Sequence, residues 1–114
     1  MQTPRQTTDV VVLVVPGPSL DASNTNRFKN EMTPFVQSAT KLIFDMTLVQ
    51  FVDSCGLGAI LFYVRQLYTK GGNMKICGLS KRVHSLFELM RMDRVVEIYN
   101  TRDEALSSGS VAKS

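Results

Sequence analysis

Cysteine is scarce: Cys55 and Cys77 are the only two in 114 residues. They lie far apart, form no C-x-x-C pair and lack zinc-ligand spacing. A disulfide framework and a structural zinc site are therefore not expected, and a reducing compartment fits. Histidine is scarcer still. His84 is the only one, it borders the apolar face of its segment, and no Ser/His/Asp set assembles around it, so a surface or boundary residue is expected. Long apolar runs are missing too, since none approaches the ~20 residues of a membrane-spanning helix. The start, Met1 to Thr8, is polar, and the short apolar stretch after it, Val10 to Val15, is followed by no small-residue cleavage site. No signal peptide is expected, and a cytoplasmic location is the default.

Charge of one sign is also lacking. Thirteen Lys+Arg against ten Asp+Glu give a net +3. Lys29, Lys41, Arg65, Lys70, Lys75, Arg91 and Arg94 are scattered, and Lys81-Arg82 is the densest pair. A nucleic-acid footprint needs a stripe or cluster of positive charge, so a solvated mixed-charge surface is expected, with neither nucleic acid nor membrane as partner. The glycines of Gly56-Leu57-Gly58 fit neither a Walker loop nor G-x-G-x-x-G, which argues against nucleotide binding. No metal or cofactor is implied; Met32, Met74, Met90 and Met92 read as core packing.

What is present is the composition of one globular domain, 44% hydrophobic and 20% charged, long enough to bury a core without staples. Val10 to Val15 is a continuous β-branched run ended by Pro16-Gly17-Pro18, which predicts a strand covered on both faces. The polar N-terminus could add an edge strand. Asp21 is placed to cap a helix over Ala22 to Ala39, with Phe28, Met32, Phe35, Val36 and Ala39 at helical spacing; Pro34 should kink or split it. Lys41 to Met46 predicts a second strand. From Ser54, the residues Leu57, Ile60, Leu61, Val64, Leu67 and Tyr68 mark one face of a second helix, ended by Gly71-Gly72. Met74 to Gly78 predicts a third strand. Ser80 caps a third helix with Val83, Leu86, Phe87 and Met90 inward, and Arg91 and Arg94 suit its end. Val95 to Tyr99 predicts a fourth strand. Thr101-Arg102-Asp103-Glu104 has the capping-box pattern and starts a short last helix. The domain is expected over residues 1–106, with a disordered Ser-rich tail over 107–114. Alternating β and α elements argue for a single α/β layer domain with a four- to five-stranded, mostly parallel sheet and about four helices.

The chemistry concentrates in Asp53-Ser54-Cys55-Gly56-Leu57-Gly58, at a strand-to-helix junction. A helix start offers unpaired N–H groups and the positive end of a dipole, both favourable to a phosphate. The Ser54 hydroxyl is therefore either a phosphate acceptor or a helix cap. Gly56 and Gly58 remove bulk beside it and give a modifying enzyme room. Strand ends share one edge of such a sheet, which brings Asp21 toward Ser54. Cys55 has two readings, a small buried filler, which is the expected one, or a thiolate nucleophile at a helix start.

In these residues and their flanks the chain resembles STAS domains of the bacterial anti-sigma-factor antagonist type. The family motif is D-S-[ST]-G-[LI]-G at the start of the second long helix. Leu20-Asp21-Ala22, Leu42 to Met46, Gly71-Gly72, Ile76 to Ser80 and Val83 to Met90 match its other segments. The resemblance implies the STAS fold and a binding protein without catalytic activity. It implies that Ser54 is phosphorylated by an anti-sigma factor that is also a serine protein kinase. The unphosphorylated form binds that partner and releases a sigma factor or other regulated partner; the phosphorylated form does not bind; a PPM-type serine phosphatase resets it. Asp21, Asp53, Ser54, Cys55, Gly56, Leu57 and Gly58 are then the partner-binding surface. The alternatives are a STAS scaffold subunit of a signalling or lipid-transport complex, and a phosphocysteine transfer protein using Cys55. Two departures stand out. Cys55 replaces the usual second hydroxyl, and Pro18 stands where the family has a glycine before the first helix.

Overall fold

The computed structural model describes residues 10–111, with side chains to 108. Its strands are β1 (Val10–Val14), β2 (Ser19–Leu20), β3 (Lys41–Asp45), β4 (Phe51–Val52), β5 (Asn73–Cys77) and β6 (Glu97–Tyr99). Its helices are α1 (Thr25–Ser38), α2 (Ser54–Thr69), α3 (Lys81–Leu89) and α4 (Arg102–Val111), with a 3-10 turn at Met92–Arg94. The main sheet has four parallel strands in the order β1-β3-β5-β6; β2 and β4 form a separate parallel pair. This is the α/β architecture expected from the alternation of elements.

Side-chain alternation sorts the helices onto two faces of the sheet. Leu42 and Phe44 of β3 and Met74 and Ile76 of β5 join the main core with Phe28 and Met32 of α1, Ile60 and Tyr63 of α2, and Val83 and Phe87 of α3. The intervening Ile43 and Cys77 point the other way, against Ala105 of α4. Leu42 to Met46 is buried throughout, as a central strand should be. The Val10 run differs. It is covered on both faces, by the main core at Val11 and Leu13 and by the second cluster at Val10 and Val12, but only partly. Among the described residues β1 is an edge, paired to β3 alone. Branched residues set strand propensity, not position in the sheet. The extra N-terminal strand falls in residues 1–9, outside the described residues.

The other differences are local. Asp21 does not cap α1. Its carbonyl accepts the Asn24 and Thr25 N–H groups, at 3.1 and 3.0 Å, so a turn separates it from the helix. Pro34 does not split α1. The turn before it is held by the Lys29 carbonyl, which accepts the Thr33 and Tyr63 hydroxyls at 2.6 and 2.7 Å. Met90 is exposed rather than inward, because α3 ends at Leu89 and Arg91 turns the chain with φ 61°. The Ser80 cap holds, with its Oγ accepting the Val83 N–H at 3.2 Å. So does the capping box: Thr101 Oγ1 accepts the Glu104 N–H at 3.1 Å, and Glu104 Oε1 accepts the Thr101 N–H at 3.3 Å. With that start, α4 continues to Val111, into the stretch read as a tail.

Candidate functional site

The site is built by the short β2–β4 pair. Its register sets Leu20 beside Val52, so the next residues, Asp21 and Asp53, emerge side by side. Neither strand carries a readable pattern, being two residues long. The pairing is anchored where Pro18 O accepts the Gln50 N–H at 2.7 Å and Leu20 O accepts the Asp53 N–H at 3.3 Å.

Asp53 is the N-cap of α2: its Oδ1 accepts the Gly56 N–H at 2.9 Å. Its Oδ2 accepts the Ala22 N–H at 3.1 Å, from the turn that follows Asp21. One carboxylate thus caps one helix and fixes the approach to another. The Asp21 carboxylate is held locally, with Oδ1 accepting the Ser23 hydroxyl at 2.6 Å and the Ser23 N–H at 2.9 Å. Those bonds, the hydroxyl's first, hold its pKa below the usual 3.8.

Because Asp53 is the cap, Ser54 is not. It is the first residue of α2, exposed, and among the described residues its hydroxyl makes no hydrogen bond. The N–H groups of Ser54 and Cys55 likewise meet no acceptor among the described residues. Cys55 is exposed, not the buried filler expected, because the inward face of this first turn is taken by Gly56 and Leu57. The other cysteine, Cys77, is buried, and burial first, then the Asp45 charge, push its thiol up to about 11.

The two motif glycines do different things. A Cβ on Gly56 would stand 2.2 Å from Leu20 O and 2.9 Å from Val52 Cγ1. Gly56 is therefore glycine because α2 sits directly on the β2–β4 pair, not to clear space around the hydroxyl. Gly58 is exposed, and a Cβ there would meet nothing within 4 Å. Leu57 turns into the core and backs the surface from within. Of the seven residues expected at the site, Asp21, Asp53, Ser54, Cys55 and Gly58 therefore share one accessible region, and Gly56 and Leu57 support it.

Leu48 and Phe51 were not picked out from the sequence. Both are apolar and about half exposed, 54% and 48%. They flank the motif on the loop and strand leading into it, and Gly17 packs directly under Leu48 O. The signal available was the pair Phe51-Val52, in which only one residue of a short strand can face the core. Among the described residues no group of three His, Cys, Asp or Glu is placed to hold a metal. No described helix is long and apolar enough to cross a membrane.

The arrangement is that of a parallel α/β domain with an unhindered serine at an acid-capped helix start. A STAS domain model matches residues 2–105. The chain belongs to the STAS domain family, among its anti-sigma-factor antagonists. It is 30% identical over 98 residues to an anti-sigma-B factor antagonist of Listeria monocytogenes, covering 85% of each chain. It matches the crystal structure of a candidate anti-sigma factor antagonist of Thermotoga maritima at 28% identity with a TM-score of 0.81, covering 90% of this chain and 89% of that one. The fold is also that of the Bacillus antagonist SpoIIAA in its phosphorylated form, with a TM-score of 0.67 at 21% identity over 93% of this chain and 96% of that one.

Proposed function

We propose that this chain is a partner-switching anti-sigma-factor antagonist whose switch is Ser54. Unphosphorylated, it docks an anti-sigma factor that is also a serine kinase, through the surface of Asp21, Asp53, Ser54, Cys55 and Gly58. That docking releases a sigma factor or another regulated partner. The observation that carries the reading is the Ser54 hydroxyl: exposed, unbonded among the described residues, and beside the N–H groups of a helix start.

In the forward step the Ser54 Oγ attacks the γ-phosphorus of ATP. An O–P bond forms, the bridging P–O bond breaks, ADP leaves, and the hydroxyl proton passes to a base. Asp53 is ill-suited as that base, since both its oxygens hold backbone N–H groups; the kinase supplies it. The product adds about −1.5 to −2 charges beside Asp53 and Asp21. The helix end accommodates this charge without refolding, whereas a closed interface does not, because like charges brought together cost several kcal/mol. In the reverse step a PPM-type phosphatase directs water onto phosphorus, Ser54 Oγ leaves and regains a proton, and inorganic phosphate is released.

Incubation with a cognate serine kinase and ATP, followed by peptide mass spectrometry, tests the assignment. One phosphate on Ser54 is expected. Phosphate elsewhere, or on Cys55, would overturn it.

A further inference from the structure

Asn24 is the N-cap residue of α1, yet its side chain makes no cap bond to that helix. It turns back toward β2 instead. Its Oδ1 accepts the Asp21 N–H at 2.9 Å, and its Nδ2 donates to the Ser19 carbonyl at 2.8 Å. Pro18 O and Leu20 O face β4, where they accept the Gln50 and Asp53 N–H groups. The Ser19 carbonyl between them faces away from that pairing. One amide thus ties the start of the Asp21 turn to the strand before it and to the helix after it.

These bonds select asparagine. A helix cap needs only an acceptor, and Ser, Asp and Asn supply one about equally. Here an acceptor and a donor are used at once. An aspartate has no donor for Ser19 O, and a serine would have to serve both groups from one oxygen on a shorter stem. Three successive N–H groups, of Asp21, Ala22 and Ser23, each end on a side-chain oxygen: Asn24 Oδ1, Asp53 Oδ2 and Asp21 Oδ1, at 2.9, 3.1 and 2.9 Å. On the donor side the shape of the turn therefore rests on three side chains. Asp21 and Asp53 belong to the docking surface proposed above; the half-buried Asn24 does not.

We propose that Asn24 is a positioning residue: its amide clamps the turn in the orientation that presents Asp21 to the partner beside Ser54. This inference rests on the function proposed above. Asn24 acts through Asp21. Loosening the turn leaves Ser54 in place on α2, because the bond from the Gly56 N–H to Asp53 is separate from the clamp. Docking should therefore weaken, while the chemistry at Ser54 in the docked complex stays the same.

The test uses two variants of the full chain. Asn24→Ser keeps a capping oxygen for α1 but loses the clamp. Asn24→Asp keeps an acceptor for the Asp21 N–H but loses the donor to Ser19 O. Amide hydrogen exchange reads the clamp with no partner present. The Ala22 N–H is the informative one, since its own acceptor, Asp53, is untouched. Its exchange should quicken about tenfold in Asn24→Ser and less in Asn24→Asp, while Gly56 keeps its rate. Unchanged exchange at Ala22 would overturn the clamp. Docking is read with the serine kinase that phosphorylates Ser54. KM for the chain should rise about tenfold in Asn24→Ser, with kcat unchanged. In an Asp21→Ala background the same substitution should change KM by less than about twofold. Equal rises in both backgrounds would make Asn24 merely structural and overturn the proposal, as would a fall in kcat at constant KM. If the phosphate lands on a residue other than Ser54, the function proposed above falls and the role in docking falls with it; the Ala22 exchange still decides the clamp.

Discussion

Asp53 and Ala22 are 31 residues apart in sequence and are joined by one hydrogen bond, from the Ala22 N–H to Asp53 Oδ2 at 3.1 Å. The same carboxylate caps α2 through the Gly56 N–H. The residue before the candidate acceptor thus does structural work at two places. It fixes the first turn of α2, on which Ser54 stands, and it locks the Asp21 turn alongside. This supports a rigid acceptor surface, one that gains or loses a partner by charge rather than by rearrangement.

Removing that carboxylate should be felt in stability. Asp53→Ala loses the cap and the tether together and is expected to cost about 1–2 kcal/mol. For a domain of this size that lowers Tm by roughly 5–10 °C. Asp53→Asn keeps one acceptor oxygen and should fall between. Thermal unfolding followed by circular dichroism measures both, and an unchanged Tm in Asp53→Ala would contradict the double role.

The motif glycines should separate cleanly. Gly56→Ala drives a methyl into Leu20 O and should destabilise by about 1–3 kcal/mol. Gly58→Ala meets open space and should be neutral or stabilise by up to about 1 kcal/mol. If the partner docks on this face, Gly58→Ala weakens binding despite its stable fold. Urea unfolding read beside a binding titration distinguishes these effects.

The cysteines should differ in reactivity. At mildly alkaline pH, iodoacetamide should modify exposed Cys55 and spare Cys77, whose thiol is buried and pushed up to about 11. Intact mass should show one adduct on the native chain and two in denaturant. A phosphocysteine mechanism would require loss of phosphate transfer in Cys55→Ser; with Ser54 as the acceptor, that variant should be phosphorylated as the native chain is.

The acid limb of stability should report on Asp45. Burial alone would raise its pKa, but the Thr47 hydroxyl, the Arg102 guanidinium and the Thr47 N–H together outweigh it and hold the group below 3.8. Arg102 Nη2 reaches Asp45 Oδ2 at 2.7 Å and pins α4 to the sheet. A folded-state pKa below the unfolded one gives stability that is present above 3.8 and lost as pH falls through the folded value. Asp45→Asn should therefore be less stable than the native chain near neutrality, and the gap should close in acid. A gap independent of pH would mean that the charge contributes nothing.

Much of this was legible in the chain because local signals agreed with the global fold. The Leu42 to Met46 run, the Ser80 cap and the Thr101–Glu104 box each specify their element without tertiary help. The motif placed Ser54 at a helix start for the same reason. What could not be read depends on contacts between distant segments. The β2–β4 pair is too short for a period, so whether Ser54 is a helix cap or a free hydroxyl stayed open until Asp53 was seen to cap α2. It also hid the reason for Gly56, which is the Leu20 carbonyl. Cys55 and Met90 were misplaced because each lies at the end of a helix, where the face pattern runs out before the chain does.

The central claim is that a phosphate on Ser54 turns docking off. The direct measurement is isothermal titration of the cognate anti-sigma kinase with the unmodified chain and with the chain stoichiometrically phosphorylated at Ser54. Ser54→Ala should bind like the unmodified chain. The phosphorylated form should bind at least about 100-fold more weakly, a difference of about 2.7 kcal/mol, with its circular dichroism unchanged. Equal affinities for the two forms, or a weakening accompanied by loss of α-helix, would contradict a switch that works by charge on a rigid surface.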